Sequence, residues 1–190
     1  MTQLRNTSDV PVAVYAVSGD FCRIFAEDMR GLYLLSFLLT GNRANAEQCF
    51  VSGLEHSIGA NRVFKEWARS WARRTIIQNA IRMMQPTRQR SASLAASAAS
   101  AEVELSEIEA KLTPVVGLNT FERFVFVMSV LEGYSDQDCK TLLACSRTDI
   151  VRARLQALRH MAMSEQTTMT DVAVAASGFF AQQRLAAKTA

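Results

Sequence analysis

From Ser91 to Ala101 every residue except Leu94 is serine or alanine. Such a run carries too little apolar bulk to anchor a core, so the parts on either side must each bury their own. The run reads as a mobile linker; alanine is also the strongest helix former, which leaves a frayed helix as the other reading. On this division the chain has an arm (1–19), a first helical domain (20–86), a linker (87–114), a second helical domain (115–163) and a tail (164–190). With 49% hydrophobic residues, three prolines and eight glycines in 190 residues, cores can be filled, and strand-like alternation is scarce. The expected class is all-α: two small helical domains joined by a flexible Ser/Ala-rich and acidic linker, the second a helix-turn-helix.

In the first domain Phe21, Ile24, Phe25, Met29, Leu32 and Leu35 keep helical spacing over 20–40, with Asp20 as a cap. Gly41 and Asn42 stop that helix, and Asn45 caps the next, which runs towards Glu55 with Ala46, Cys49, Phe50 and Leu54 on one side. Residues 57–61 read as a loop. A third helix spans about 63–84, with Phe64, Trp67, Trp71, Ile77 and Ile81 as its apolar set and Pro86 beyond its end. The stretch Val10–Val17 reads as a short strand or an extended arm.

After the linker, Glu102–Leu112 reads as an acidic helix leading to Pro114. Phe121, Phe124, Val125, Met128 and Leu131 then form one helical stripe that ends at Glu132-Gly133. Ser135 with Asp138 three residues on is a capping box for a short helix whose apolar face is Cys139, Leu142 and Leu143. Ala144-Cys145-Ser146 is the turn, and residues 147–162 are the last strong helix. At about 100° per residue, Val151, Leu155 and Leu158 fall together as its buried stripe. Thr148, Arg152, Gln156 and Arg159 share a polar arc, extended by Asp149 and His160. The tail is polar and alanine-rich, with a weak helix around Val172–Leu185.

A short helix, a tight turn and a longer helix with a free basic face suit the major groove of duplex DNA. Arginine can grip a guanine edge or a phosphate, and glutamine can read adenine. The candidate duplex-binding residues are Arg147, Thr148, Arg152, Gln156 and Arg159. A helical hairpin packed against a protein is the competing reading. In the first domain Lys65, Arg69, Arg73 and Arg74 share a helix with Trp67 and Trp71. Rings among cations suit single-stranded nucleic acid, where bases stack and phosphates meet guanidinium groups; two tryptophans four residues apart also suit a core.

Charge follows the same plan. Residues 65–90 hold seven basic residues against one acid, Glu66; residues 102–109 hold four acids and no base; residues 147–159 hold four arginines against Asp149. Two basic surfaces separated by an acidic connector fit a polyanion touched twice, or two ordinary solvated helix faces. The chemistry of catalysis is missing. There is no Gly-rich phosphate loop, no H-E-x-x-H and no nucleophile elbow, and His56 and His160 stand far apart, so no catalytic residue, metal or cofactor is expected. Cys22, Cys49, Cys139 and Cys145 form no C-x-x-C and read as buried, reduced thiols. No apolar run reaches membrane-span length and no signal peptide opens the chain, so a soluble cytoplasmic protein is expected.

The order of parts resembles the small, two-domain extracytoplasmic-function sigma factors of bacterial RNA polymerase, over about residues 21–84 and 115–162. In the second domain the matching segments are Leu118-Asn-Thr-Phe-Glu-Arg-Phe-Val-Phe-Val-Met128, Leu131-Glu-Gly-Tyr-Ser135, Leu142-Leu-Ala-Cys-Ser146 and Val151-Arg-Ala-Arg-Leu155. Counted from Cys145, Leu155 falls one residue later than the family spacing. In the first domain they are Leu39-Thr-Gly-Asn-Arg-Ala-Asn-Ala-Glu47 and Phe64-Lys-Glu-Trp67. The resemblance implies that residues 21–84 bind core RNA polymerase and single-stranded promoter DNA, that residues 115–162 bind the upstream element as duplex DNA, and that the chain supplies no chemistry of its own. It leaves room for an anti-sigma protein. The implied polymerase-binding positions are Glu47, Gln48, Val51 and Ser52, and the chain departs from the family there: after Ala-Glu the family has Asp and then Gln-Glu, where this chain has Gln48, Val51 and Ser52. That departure motivates a second reading, a degenerate sigma-like regulator that binds DNA or a protein without recruiting polymerase.

Overall fold

The computed structural model describes residues 14–60, 62–86 and 107–164, with side chains from residue 112 in the last stretch. The Ser/Ala run, the acidic side chains of 102–109, most of the arm and the Val172–Leu185 stretch lie outside the described residues. Those described are predominantly helical, and they contain no strand, only a single bridge between Tyr15 and Phe64. The chain divides into two compact units, Met1–Phe37 with Asn42–Met83 and Leu38–Gly41 with Met84–Ala190.

In the first unit the stretch expected as one helix is two, α1 (Ser18–Glu27) and α2 (Met29–Thr40). They part at Asp28, whose backbone sits near φ −109°, ψ 27°, outside the helical well. The break turns Met29 out to solvent, although its spacing places it in the stripe. Asp20 caps α1 from inside its first turn, its carboxylate accepting from the Val17 N–H at 3.1 Å. Helix α3 (Arg43–Ile58) begins at Asn42 rather than Asn45: the Asn42 side chain accepts from the Asn45 N–H at 2.8 Å. It also runs through Ser57, expected in a loop, because that hydroxyl is satisfied inside the helix by the Gly53 carbonyl at 2.8 Å. Its inner face is Ala46, Cys49, Gly53 and Ser57, packed on α1. A β-carbon at Gly53 would come within 2.7 Å of Ile76 Cγ1, so glycine there permits a close helix–helix approach.

The third helix of this unit starts later than its spacing suggests. A 3-10 turn (Lys65–Trp67) precedes α4 (Ala68–Met84). The buried side of α4 is Ala68, Ala72, Thr75, Ile76, Ile77, Asn79 and Ala80. Small residues let this helix pack closely, and Phe21, Ile24, Phe25, Leu32 and Leu35 supply the bulk of the core. The arm is anchored here: Ala16 N–H donates to the Val63 carbonyl at 2.7 Å and Lys65 N–H to the Val14 carbonyl at 3.1 Å.

In the second unit α5 (Glu107–Val116) crosses Pro114, where the linker was expected to end, and buries Val115. The proline falls in the final turn, where losing one N–H interrupts little of the helix. Asn119 caps α6 (Thr120–Phe126), accepting from the Glu122 N–H at 2.9 Å. A π-helical turn (Val127–Leu131) continues it, and the extra residue per turn leaves Leu131 exposed instead of completing the stripe. Gly133, at φ +70°, redirects the chain. Helix α7 (Asp136–Leu143) has the expected cap, with Asp138 N–H donating to Ser135 Oγ at 3.1 Å. It ends at Ala144 in the left-handed region, φ 49° and ψ 45°, and the final helix, α8, covers residues 147–164. The buried apolar residues of this unit include Phe124, Val125, Val127, Met128, Cys139 and Leu143. Arg123 is also buried: it donates to the Val116 carbonyl at 3.0 Å, and burial holds its pKa below the usual arginine value.

Candidate nucleic-acid interfaces

Helix α8 is started by a reciprocal cap. Ser146 N–H donates to the Asp149 carboxylate at 3.2 Å, Ser146 Oγ donates to it at 2.6 Å, and Asp149 N–H donates back to Ser146 Oγ at 3.2 Å. Asp149 is thereby buried and does not belong to the outward arc. It is the sole acid of residues 147–164, so the exposed side of α8 carries no negative charge.

The expected buried stripe is corrected outright. Ile150, Ala153 and Ala157 face the core, while Val151, Leu155 and Leu158 are 41%, 50% and 44% exposed. The buried face lies about 130° around the helix from the expected stripe at 100° per residue. Two ion contacts hold that rotation. Arg154 donates to the Asp136 carboxylate and, at 2.9 Å, to Ser129 Oγ. Arg147 reaches the same carboxylate at 3.4 Å. These donors hold the Asp136 carboxyl below the ordinary carboxylate range, the Arg154 hydrogen bond being the largest cause.

Arg147, Thr148, Arg152, Gln156 and Arg159 are all exposed. Thr148, Arg152, Gln156 and Arg159 form one outward strip, Val151, Leu155 and Leu158 form an apolar ridge beside it, and Arg147 lies on the far side of that ridge, paired with Asp136. Such a surface can offer guanidinium groups to phosphates or base edges, an amide to adenine and aliphatic groups to anything apolar between them.

On α4 the cations and rings separate. Lys65 lies 3.7 Å from Asp20, Arg69 pairs with Glu27, and Arg73 lies 3.2 Å from Asp28. All three acids come from α1 or the break after it. Arg74, half-buried, sits on the tryptophan side of the helix. Trp67 is 61% exposed and Trp71 38% exposed, so neither tryptophan belongs to the core. The rings extend beyond this pair: Tyr15 and Phe64 stand 5.0 Å apart, and Phe64 and Trp67 meet edge-on at 5.3 Å. Tyr15 and Phe64 carry no sequence signal of this role; the bridge between arm and turn brings them in.

Glu47, Gln48 and Val51 face outward from α3, and Ser52 is half-buried with its carbonyl accepting from His56 Nδ1 at 2.7 Å. The cysteines divide. Burial pushes the Cys49 thiol up to about 11 and the Cys139 thiol up to about 11, and raises Cys145, which leaves all three poor nucleophiles. Cys22, expected to be buried, is exposed on the outer side of α1. Among the described residues no helix is long and apolar enough to cross a membrane, and no group of three His, Cys, Asp or Glu residues is placed to hold a metal ion. No protein-family model and no curated protein matches the chain.

Proposed function

We propose that this chain is a sigma-like, DNA-binding initiation factor that directs RNA polymerase to promoters. One observation carries the reading: Thr148, Arg152, Gln156 and Arg159 share an exposed face of α8 on which the helix places no acid, behind a short capped helix and a tight turn. That is the arrangement a helix-turn-helix needs to enter the major groove. The exposed tryptophans on α4 add a stacking surface for single-stranded promoter DNA. In this reading α3 meets the polymerase through Glu47, Gln48, Val51 and Ser52, and the polymerase performs all the chemistry. The chain acts in the cytoplasm, with an anti-sigma protein as a natural regulator.

Co-purification with core polymerase, followed by transcription from the DNA that co-purifies, tests this. Retention on core enzyme and promoter-dependent transcripts are expected; absence of both sinks it. A second reading is favoured by the outer face of α3, where exposed Val51 stands next to Glu47 and Gln48. In that reading the chain binds DNA as a regulator without recruiting polymerase. A gel shift that persists without polymerase, with no ternary complex on adding it, would select the second reading.

A further inference from the structure

The apolar ridge on α8 is unaccounted for by phosphate contacts. Val151 and Leu155 lie one turn apart and face solvent, with Arg152 between them in sequence and Arg147, Gln156 and Arg159 around them. Aliphatic side chains held in water are stabilised by any apolar cover. The cover must also accept the guanidinium groups of Arg152 and Arg159, and the one acid of the helix is folded into its own cap. Duplex DNA meets both demands: phosphates and guanine edges take the arginines, and thymine 5-methyl groups are the apolar points of the major groove. Size agrees too: an α-helix with its side chains is about 10–12 Å across, close to the width of about 12 Å of that groove.

We propose that Val151 and Leu155 are specificity-determining residues that read thymine methyl groups in the major groove, beside the hydrogen-bonding row of Arg152 and Gln156. The proposal rests on the duplex-binding reading of α8 and sharpens it, because the preferred site must then carry thymines at the positions these two side chains reach.

Duplexes enriched from a random library by the full chain, alone and with core polymerase, provide the probe. Each thymine is then replaced by uracil, which removes the methyl and leaves the pairing and hydrogen-bonding edges as they were. Uracil at one or two positions should lower affinity about fourfold per methyl. The Leu155→Ala or Val151→Ala chain should be indifferent to uracil at its own position. Both residues are solvent-facing, so circular dichroism of the variants should match the parent. Enriched duplexes that bind equally well with uracil at every position overturn the inference while leaving duplex binding intact. No enrichment under either condition removes the duplex reading and the inference with it. A Leu155→Ala chain that keeps its DNA affinity and uracil sensitivity but loses self-association in sedimentation overturns the inference in favour of a protein contact on the ridge.

Discussion

Helices α4 and α8 both carry basic residues, yet they use them in opposite ways. On α4 and the 3-10 turn before it, Lys65, Arg69 and Arg73 turn towards Asp20, Glu27 and Asp28 of their own unit, and Trp67 of the turn and Trp71 of the helix face solvent. On α8 the single acid is spent on a cap, Arg147 and Arg154 share Asp136, and Arg152 and Arg159 stand on an exposed face beside aliphatic groups. A count of cations rates the two helices as equals. Geometry separates them: α4 pairs Arg69 and Arg73 with acids beside exposed rings, and α8 leaves Arg152 and Arg159 exposed. Any nucleic acid that meets both should therefore be held by stacking at one and by charge at the other.

The largest effect should come from the rings. Trp67→Ala and Trp71→Ala should each weaken binding of oligo-dT by about 1–3 kcal/mol per base stacked, with the helical circular dichroism signal retained because neither ring is fully buried. Tryptophan fluorescence quenching on titration with oligo-dT measures it. Unchanged affinity in both variants would break the contrast by removing the stacking role of α4.

Charge comes next. Arg152→Ala should lower the slope of log affinity against log salt on duplex DNA by about 0.9. Arg69→Ala should leave that slope where it was, because its partner is Glu27 rather than solvent. A gel-shift series over several salt concentrations reads both. Equal slope losses would show that the ion pairs on α4 open to serve the nucleic acid, and the two helices would then differ only in their apolar groups.

The turn that presents α8 carries backbone strain, as do the stretches flanking α4, where Arg62 and Gln85 also have positive φ. Ala144 is held at φ 49°, a conformation that costs an alanine about 1 kcal/mol and a glycine almost nothing. Ala144→Gly should therefore stabilise the second unit by up to about 1 kcal/mol in urea unfolding, with the salt slope unchanged. A loss of stability would mean that the methyl group packs where the turn needs it.

Much of this was legible in the sequence, and the misreadings share one cause. Element order, the Ser135 cap and the exposure of all five polar residues of α8 follow from local rules that tertiary packing rarely overrides. The faces that α4 and α8 bury do not. Spacing gives the core of α8 to its large apolar residues Val151, Leu155 and Leu158, and leaves Trp67 and Trp71 open between core and surface. The protein buries alanine beside isoleucine on both helices, Ala68, Ala72 and Ala80 with Ile76 and Ile77 on one and Ala153 and Ala157 with Ile150 on the other, and turns Trp67, Trp71, Val151, Leu155 and Leu158 outward. Alanine contributes little to a hydrophobic pattern, yet it allows the closest helix approach, so an alanine-lined face is the one a periodicity count undervalues. The break at Asp28 and the π-helical turn at Val127–Leu131 were likewise invisible, because neither carries a proline or glycine to announce it.

The smallest effect tests the ion pairs themselves. Asp20 and Asp136 are both held below the ordinary carboxylate value of 3.8, but for different reasons. For Asp20 the largest cause is the Val17 N–H, a helix cap, with Lys65 and Arg23 adding to it. For Asp136 it is the Arg154 side chain. A carboxyl depressed in the folded state contributes stability above its unfolded pKa, and that contribution is lost as pH falls below about 3.8 through the folded value. Removing Lys65 should leave most of the Asp20 depression in place, because the cap remains. Removing Arg154 should bring Asp136 most of the way back up. Carboxyl carbon chemical shifts followed between pH 2 and pH 6 in Lys65→Met and Arg154→Met, on the order of the range where carboxylates titrate, would show one curve nearly fixed and the other displaced upward. Two curves displaced alike would mean that side-chain charge governs both sites, and that the cap at Asp20 matters less than its geometry implies.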